Sequence, residues 1–160
     1  MRFLMCPAAD ALERARPPVR AFLAFSALLV VAAVFQRGIQ GGLSPAGLEL
    51  LFADAQGPGG ALSTTVLWEE VHTGAFLDGF LLLTLGSLLA VCPVPPRLRS
   101  GLLGVGVASA LGDLLLPFLA FRLPGWAALR VGSFALLSAS LLAFIVVVWL
   151  TFGRAGRRDA

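Results

Sequence analysis

Four long apolar runs, each fenced by arginine or proline, constrain this chain more than any other feature. They lie at about residues 21–36, 67–91, 101–121 and 131–152, close to the ~20 residues that an α-helix needs to cross a bilayer. Backbone in hydrocarbon must satisfy its own N–H and C=O groups, so each run has to be a helix. Hydrophobic residues make up 58% of the 160 and charged residues 13%, whereas soluble domains run nearer half and a quarter. The excess is blocked into runs and not spread as a core pattern. The chain therefore reads as one all-α integral membrane domain over residues 1–160, an antiparallel bundle of four transmembrane helices. The first run, Ala21–Gln36, is short, and Arg20 and Arg37 extend it by snorkelling.

Arginine supplies orientation. All twelve basic residues are arginine. Nine fall on the tail, the second connection and the C-terminus: Arg2, Arg14, Arg16, Arg20, Arg97, Arg99, Arg154, Arg157 and Arg158. Three fall on the other side, Arg37, Arg122 and Arg130. The positive-inside rule places both termini in the cytoplasm, with Trp68 and Trp126 at the outer interface and Trp149 at the inner one. The net charge of +3 thus reports topology. No basic run is interleaved with stacking aromatics, so nucleic acid is excluded as a partner. Cys6 and Cys92 have no metal or redox spacing and read as small, reduced, inert side chains.

The connections differ in kind. In the tail, the helix-capable ADALERAR is expected to stop at Pro17 and Pro18. The first outer loop spans residues 37–66, and its LSPAGLELLFAD carries a short amphipathic helix over Pro45–Ala55. Ser44 caps it, Pro45 opens it, and Leu48, Leu51 and Phe52 share a face. Gly57 to Gly60 end it. CPVPPRLRS and RLPGW are tight connections, making the last three spans antiparallel neighbours. Gly104, Ala108 and Gly112 on span three, and Ala135, Ala139 and Ala143 on span four, are the expected close-packing stripes.

Span two carries the polar residues. Glu69, Glu70, the single histidine His72 and Asp78 occupy its first half, and Asp113 lies on span three. Ionisable groups in a membrane are costly and generally face a bundle interior. By helical rise, His72 lies ~8 Å, Asp113 ~12 Å and Asp78 ~16 Å below the outer end. Asp113 can then meet His72 or Asp78. Glu69 and Glu70 read as rim carboxylates near Arg122 or Arg130, and Ser109 and Thr84 continue a polar track inward. The candidate ligand- or proton-binding residues are His72, Asp113, Asp78 and Glu69, with Glu70 and Arg122 as an ion-paired rim.

Cofactor chemistry finds little footing. Glu69-x-x-His72 has the spacing used twice in di-iron bundles, but one histidine supplies half a site at most. Bis-histidine haem is excluded within one chain, and Met1 and Met5 lie on the wrong side for His–Met ligation. No nucleophile elbow, P-loop, dinucleotide fingerprint or HExxH occurs. No metal, cofactor or catalytic residue is assigned.

The stretches GLSPAGLELLFAD, EEVHTGAFLDGFLLLTLGSLLAV, PVPPRLR and ALGDLLLPFL together resemble a loosely defined, uncharacterised group of small bacterial four-span inner-membrane proteins. The resemblance covers roughly Arg37–Phe121. It implies a multi-pass protein of the bacterial inner membrane and supports Glu69, His72 and Asp113 as group-like positions. Many of its members carry a second histidine beside the first, where this chain has Thr73 and Gly74. That departure weakens a metal or haem reading.

The expected function is a non-enzymatic membrane protein with an outward-facing polar pocket. It binds a small ligand or ion, or serves as an accessory subunit beside a membrane partner or further copies of itself. The alternatives are a small proton-linked transporter or channel and a metal or redox enzyme of the membrane.

Overall fold

A computed structural model describes residues 9–54, 64–119 and 123–154 of the chain. Five α-helices follow in order: α1 Ala9–Ile39, α2 Pro45–Asp54, α3 Thr64–Val91, α4 Pro96–Leu115 and α5 Trp126–Arg154. A 3-10 turn, Leu116–Leu119, extends α4. Four of the helices are long and apolar enough to span a membrane. Among the described residues there is no strand.

The spans are longer than their apolar runs. α1 continues through Pro17 and Pro18, which were expected to stop it. Proline φ suits a helix, but at the ninth and tenth residues of α1 the two prolines leave the Glu13 and Arg14 carbonyls without their helical donors. At its other end α1 runs past Arg37 to a Schellman close, with Gly42 N–H to Arg37 O at 2.9 Å and Gly41 N–H to Gly38 O at 3.2 Å. Gly41 supplies the left-handed residue this motif needs, at φ 75°. Arg37 is therefore a helical residue of the last turn, not a loop residue. α4 begins five residues before its apolar run, with Pro96 as its first residue and Pro95 as N-cap. Proline suits that position because the N–H it lacks has no helical partner there. At the far end Pro117 cannot donate to the Asp113 carbonyl, and the helix tightens to 3-10.

α5 is the organising helix: α1, α2, α3 and α4 all pack on it, and α3 also packs on α4. One half of the bundle is an apolar core of Leu23, Leu85, Leu89, Leu141, Phe144 and Val148 with their neighbours. The small-residue stripes do not make it. Gly104, Ala108, Ala135 and Ala139 face outward. The inward faces carry Gly106, Ser109, Ala110 and Asp113 on α4, and Phe134, Leu137, Leu141 and Phe144 on α5. Large side chains interlocking across α3, α4 and α5 give more dispersion contact than backbone approach along those stripes.

α2 is as expected in extent to within a residue. Ser44 Oγ accepts from Gly47 N–H at 3.0 Å, which closes its first turn. Leu48 and Phe52 are buried against Trp126 and Ala127 at the start of α5, with the Phe52 and Trp126 rings 4.7 Å apart. Leu51, expected on the same face, is 42% exposed.

At the opposite end Arg99 donates to Cys92 O at 3.1 Å and Val94 O at 3.5 Å, closing the C-terminus of α3. Cys92 is 3% exposed, its thiol donates to Leu88 O, and burial pushes it above the usual thiol range, with Thr151 and Arg99 opposing. A raised value leaves less thiolate at any given pH, so alkylation at pH 8 should be slower than that of a free cysteine. The lag should shrink as pH rises and vanish in denatured protein. Alkylation of the folded protein at the free-cysteine rate would contradict this placement. Cys6 lies outside the described residues.

Candidate functional site

The residues that meet at the α2 end of the bundle come from four helices. The Schellman close leaves Arg37 on the inner side of α1. On α4, Asp113 is buried at 4% exposure. On α5, Arg130 follows Trp126 by one turn and is buried at 5% exposure. Gly112 allows α4 and α5 to close on one another here: a Cβ on it would come 2.6 Å from Ser133 Oγ.

Asp113 is clamped. Arg37 donates both terminal nitrogens to it, Nη1 to Oδ1 at 2.8 Å and Nη2 to Oδ2 at 2.5 Å. This is the bidentate fork that makes guanidinium–carboxylate pairs strong and directional. Arg130 Nε approaches Oδ1 at 3.7 Å from the other side. The Arg37 guanidinium also lies over the Phe134 ring, 4.0 Å from its centroid, and Arg130 lies 5.8 Å from that of Phe52. Two cations on one carboxylate in hydrocarbon are tolerated because each has an aromatic face as well as the shared anion.

This cluster lines a cleft of about 880 Å³. Gln36 of α1 and Gln40 just beyond it, Leu48 and Phe52 of α2, Glu69, Thr73 and Asp78 of α3 and Phe134 of α5 also line it. Thr84 and Ser109, expected to carry a polar track onward, instead donate to carbonyls of their own helices, Phe80 O at 2.8 Å and Val105 O at 2.6 Å. Ser87 does the same to Leu83 O.

The expected residues divide. Asp113, Asp78 and Glu69 share the cleft lining. His72 does not: it faces outward from α3, and among the described residues the partners of Asp113 are Arg37 and Arg130. The His72–Asp113 contact allowed by depth is not formed. His72 is turned about 120° from Asp78 around α3, and the Asp78 side is the one that meets α4. An outward histidine contributes little to the fold, so His72→Ala should change unfolding free energy by less than about 0.5 kcal/mol. A loss several times larger in a detergent-titration unfolding curve would place His72 inside the bundle. Arg122 and the side chain of Glu70 lie outside the described residues. Among the described residues, no three His, Cys, Asp or Glu side chains converge.

Arg37 is the functional candidate that sequence reasoning missed, and Arg130, expected beside the rim carboxylates, was not placed on Asp113. Both were counted as loop charges that set orientation. Two signals could have placed them. Gly41–Gly42 marks a helix end beyond Arg37, and the tight connection before α5 sets Arg130 level with Asp113 across an antiparallel pair.

No curated protein and no solved structure matches the chain. A family model for a transmembrane helical domain, Aq_1264_TM, matches residues 52–158, two thirds of the chain, including Asp78, Asp113 and Arg130 but not α1 with its Arg37. This multi-pass transmembrane protein belongs to the Aq_1264_TM family.

Proposed function

We propose that the protein is a non-enzymatic binding protein of the bacterial inner membrane, whose cleft takes a small ligand from the side of the membrane that α2 faces. The observation that carries this reading is the Arg37–Asp113–Arg130 cluster in the lining of a cleft. Buried charge in a membrane is expensive, and where it borders a cavity it usually marks a functional site. The arginine count favours the outside as the open face. An accessory role beside a membrane partner is compatible with such a cleft.

Proton-linked transport is the second reading, and Asp78 favours it as a carboxylate near the membrane middle. It requires a polar path beyond Asp78. The self-bonded hydroxyls of Thr84, Ser87 and Ser109 and the core of leucines and Phe144 argue against one within a single chain.

Accessibility separates these readings. In a background with Cys6 and Cys92 replaced by serine, Gln36→Cys and Thr73→Cys should react with a membrane-impermeant maleimide from one side only. Leu85→Cys should not react. Liposomes holding the protein should leak protons no faster than empty ones. Protection of positions 36 and 73, or proton flux that Asp78→Asn abolishes, would overturn the binding reading.

A further inference from the structure

A second cavity adjoins the cleft. It is a groove of about 620 Å³ between α3 and α4, open to the lipid side and almost wholly apolar. Gly79, Gly86 and Ala90 leave room on the α3 side, and Leu103, Val107 and Leu111 form the α4 side. Asp78 borders both cavities.

Asp78 differs from Asp113 in what holds it. Arg37 and Arg130 are both turned to Asp113. Asp78 is within electrostatic range of Arg37 and Asp113, but among the described residues it makes no hydrogen bond or ion pair. The described cleft lining holds two cations, Arg37 and Arg130, against three carboxylates, Glu69, Asp78 and Asp113. One unit of negative charge is thus left over when all are ionised, and Asp78 is the carboxylate deep in the bundle that no guanidinium clamps. A carboxylate at that depth needs a cation or a donor to offset its desolvation. The groove beside it needs an apolar body.

We propose that Asp78 anchors a binding site for lipophilic cations, the charged centre resting against its carboxylate and the apolar body lying in the α3–α4 groove. An anion meets the wrong charge at Asp78. A neutral acyl chain fills the groove but leaves the carboxylate uncompensated. Only an organic cation with an apolar body satisfies both parts. The proposal names the ligand class of the binding reading above and rests on it.

Tetraphenylphosphonium and tetraphenylborate are nearly the same size and opposite in charge, which makes them the appropriate probes. Equilibrium binding is measured to the full chain in phosphatidylcholine nanodiscs, with empty nanodiscs subtracted. The wild type should bind tetraphenylphosphonium saturably and tetraphenylborate only by partition. Asp78→Asn should weaken cation binding about tenfold or more, while Asp78→Glu retains most of it. Gly79→Leu serves as a second variant, because Gly79 lines the groove and a Cβ there meets nothing within 4 Å. It too should weaken binding, with the Thr73→Cys labelling pattern unchanged. Absence of saturable binding, equal binding of the two ions, or wild-type affinity in both Asp78→Asn and Gly79→Leu would overturn the proposal. The labelling experiment keeps the two readings apart: a labelled cleft with no cation site refutes this inference alone, and a protected cleft refutes the binding reading beneath it.

Discussion

Asp113→Asn should destabilise the bundle by about 3–5 kcal/mol, the usual cost of breaking a buried ion pair by removing one partner. The asymmetry of burial sets the size. Asp113 and Arg130 have side chains 5% and 6% exposed, and Arg37 has 22%. Removing the charge of Asp113 leaves Arg130 buried beside a second cation, while the bidentate grip of Arg37 is broken because the amide NH2 of asparagine cannot accept the second hydrogen bond. The principal contact of α1 is with α5, and among the described residues its polar tie to α4 is the Arg37–Asp113 pair, which the substitution weakens. Replacing all three together, Arg37→Met, Asp113→Leu and Arg130→Met, should restore most of the loss, because no uncompensated charge remains. Unfolding in mixed micelles, followed by circular dichroism, measures both. A single-variant loss below about 1 kcal/mol would mean that the pair behaves as an exposed one. A triple variant no better than the single would mean that the cluster supports the fold by more than charge balance.

Phe144→Ala should cost about 3 kcal/mol, within the range for large-to-small core changes. Phe144 is fully buried and lies where α4 comes close to α5, with Gly106 opposite its ring. In a bilayer the surrounding lipid is as apolar as the core, so the transfer contribution is small and lost packing contact dominates. Phe76 makes the contrast. It is 69% exposed on α3, and Phe76→Ala removes the same atoms without opening a cavity. Its cost should stay within about 0.5 kcal/mol. Equal losses at the two positions would show that the α3–α4–α5 core is packed differently.

The spans were legible because apolar blocks of membrane length leave the backbone no alternative to helix. Their ends were less legible. Pro96 is compatible with a first turn as well as with a loop, and Pro17–Pro18 is tolerated within α1. The close-packing stripes misled because small residues recur by chance in a chain rich in alanine and glycine. What decides the inward face is where Leu85, Leu89 and Phe144 interlock. The membrane depth of Asp113 followed from helical rise, but its partners did not. The Arg37–Asp113 pair joins residues 76 apart in sequence, and no local pattern encodes such a pair. Counting arginines for orientation also treats each one as a loop charge, which hid Arg37 and Arg130. His72 drew attention as the single histidine, and the rotation of α3 about its axis turns it outward.

The cleft, the cation site and the stability of α1 all depend on the grip of Arg37 on Asp113. Solid-state NMR of the protein in bilayers tests it directly, through dipolar coupling between arginine Nη nitrogen and aspartate Cγ carbon. The account predicts that Asp113 is coupled to arginine at less than about 4 Å, as a bidentate pair requires, with that signal lost in both Asp113→Asn and Arg37→Lys. Coupling of Asp113 to the imidazole of His72, or to no arginine, would contradict it.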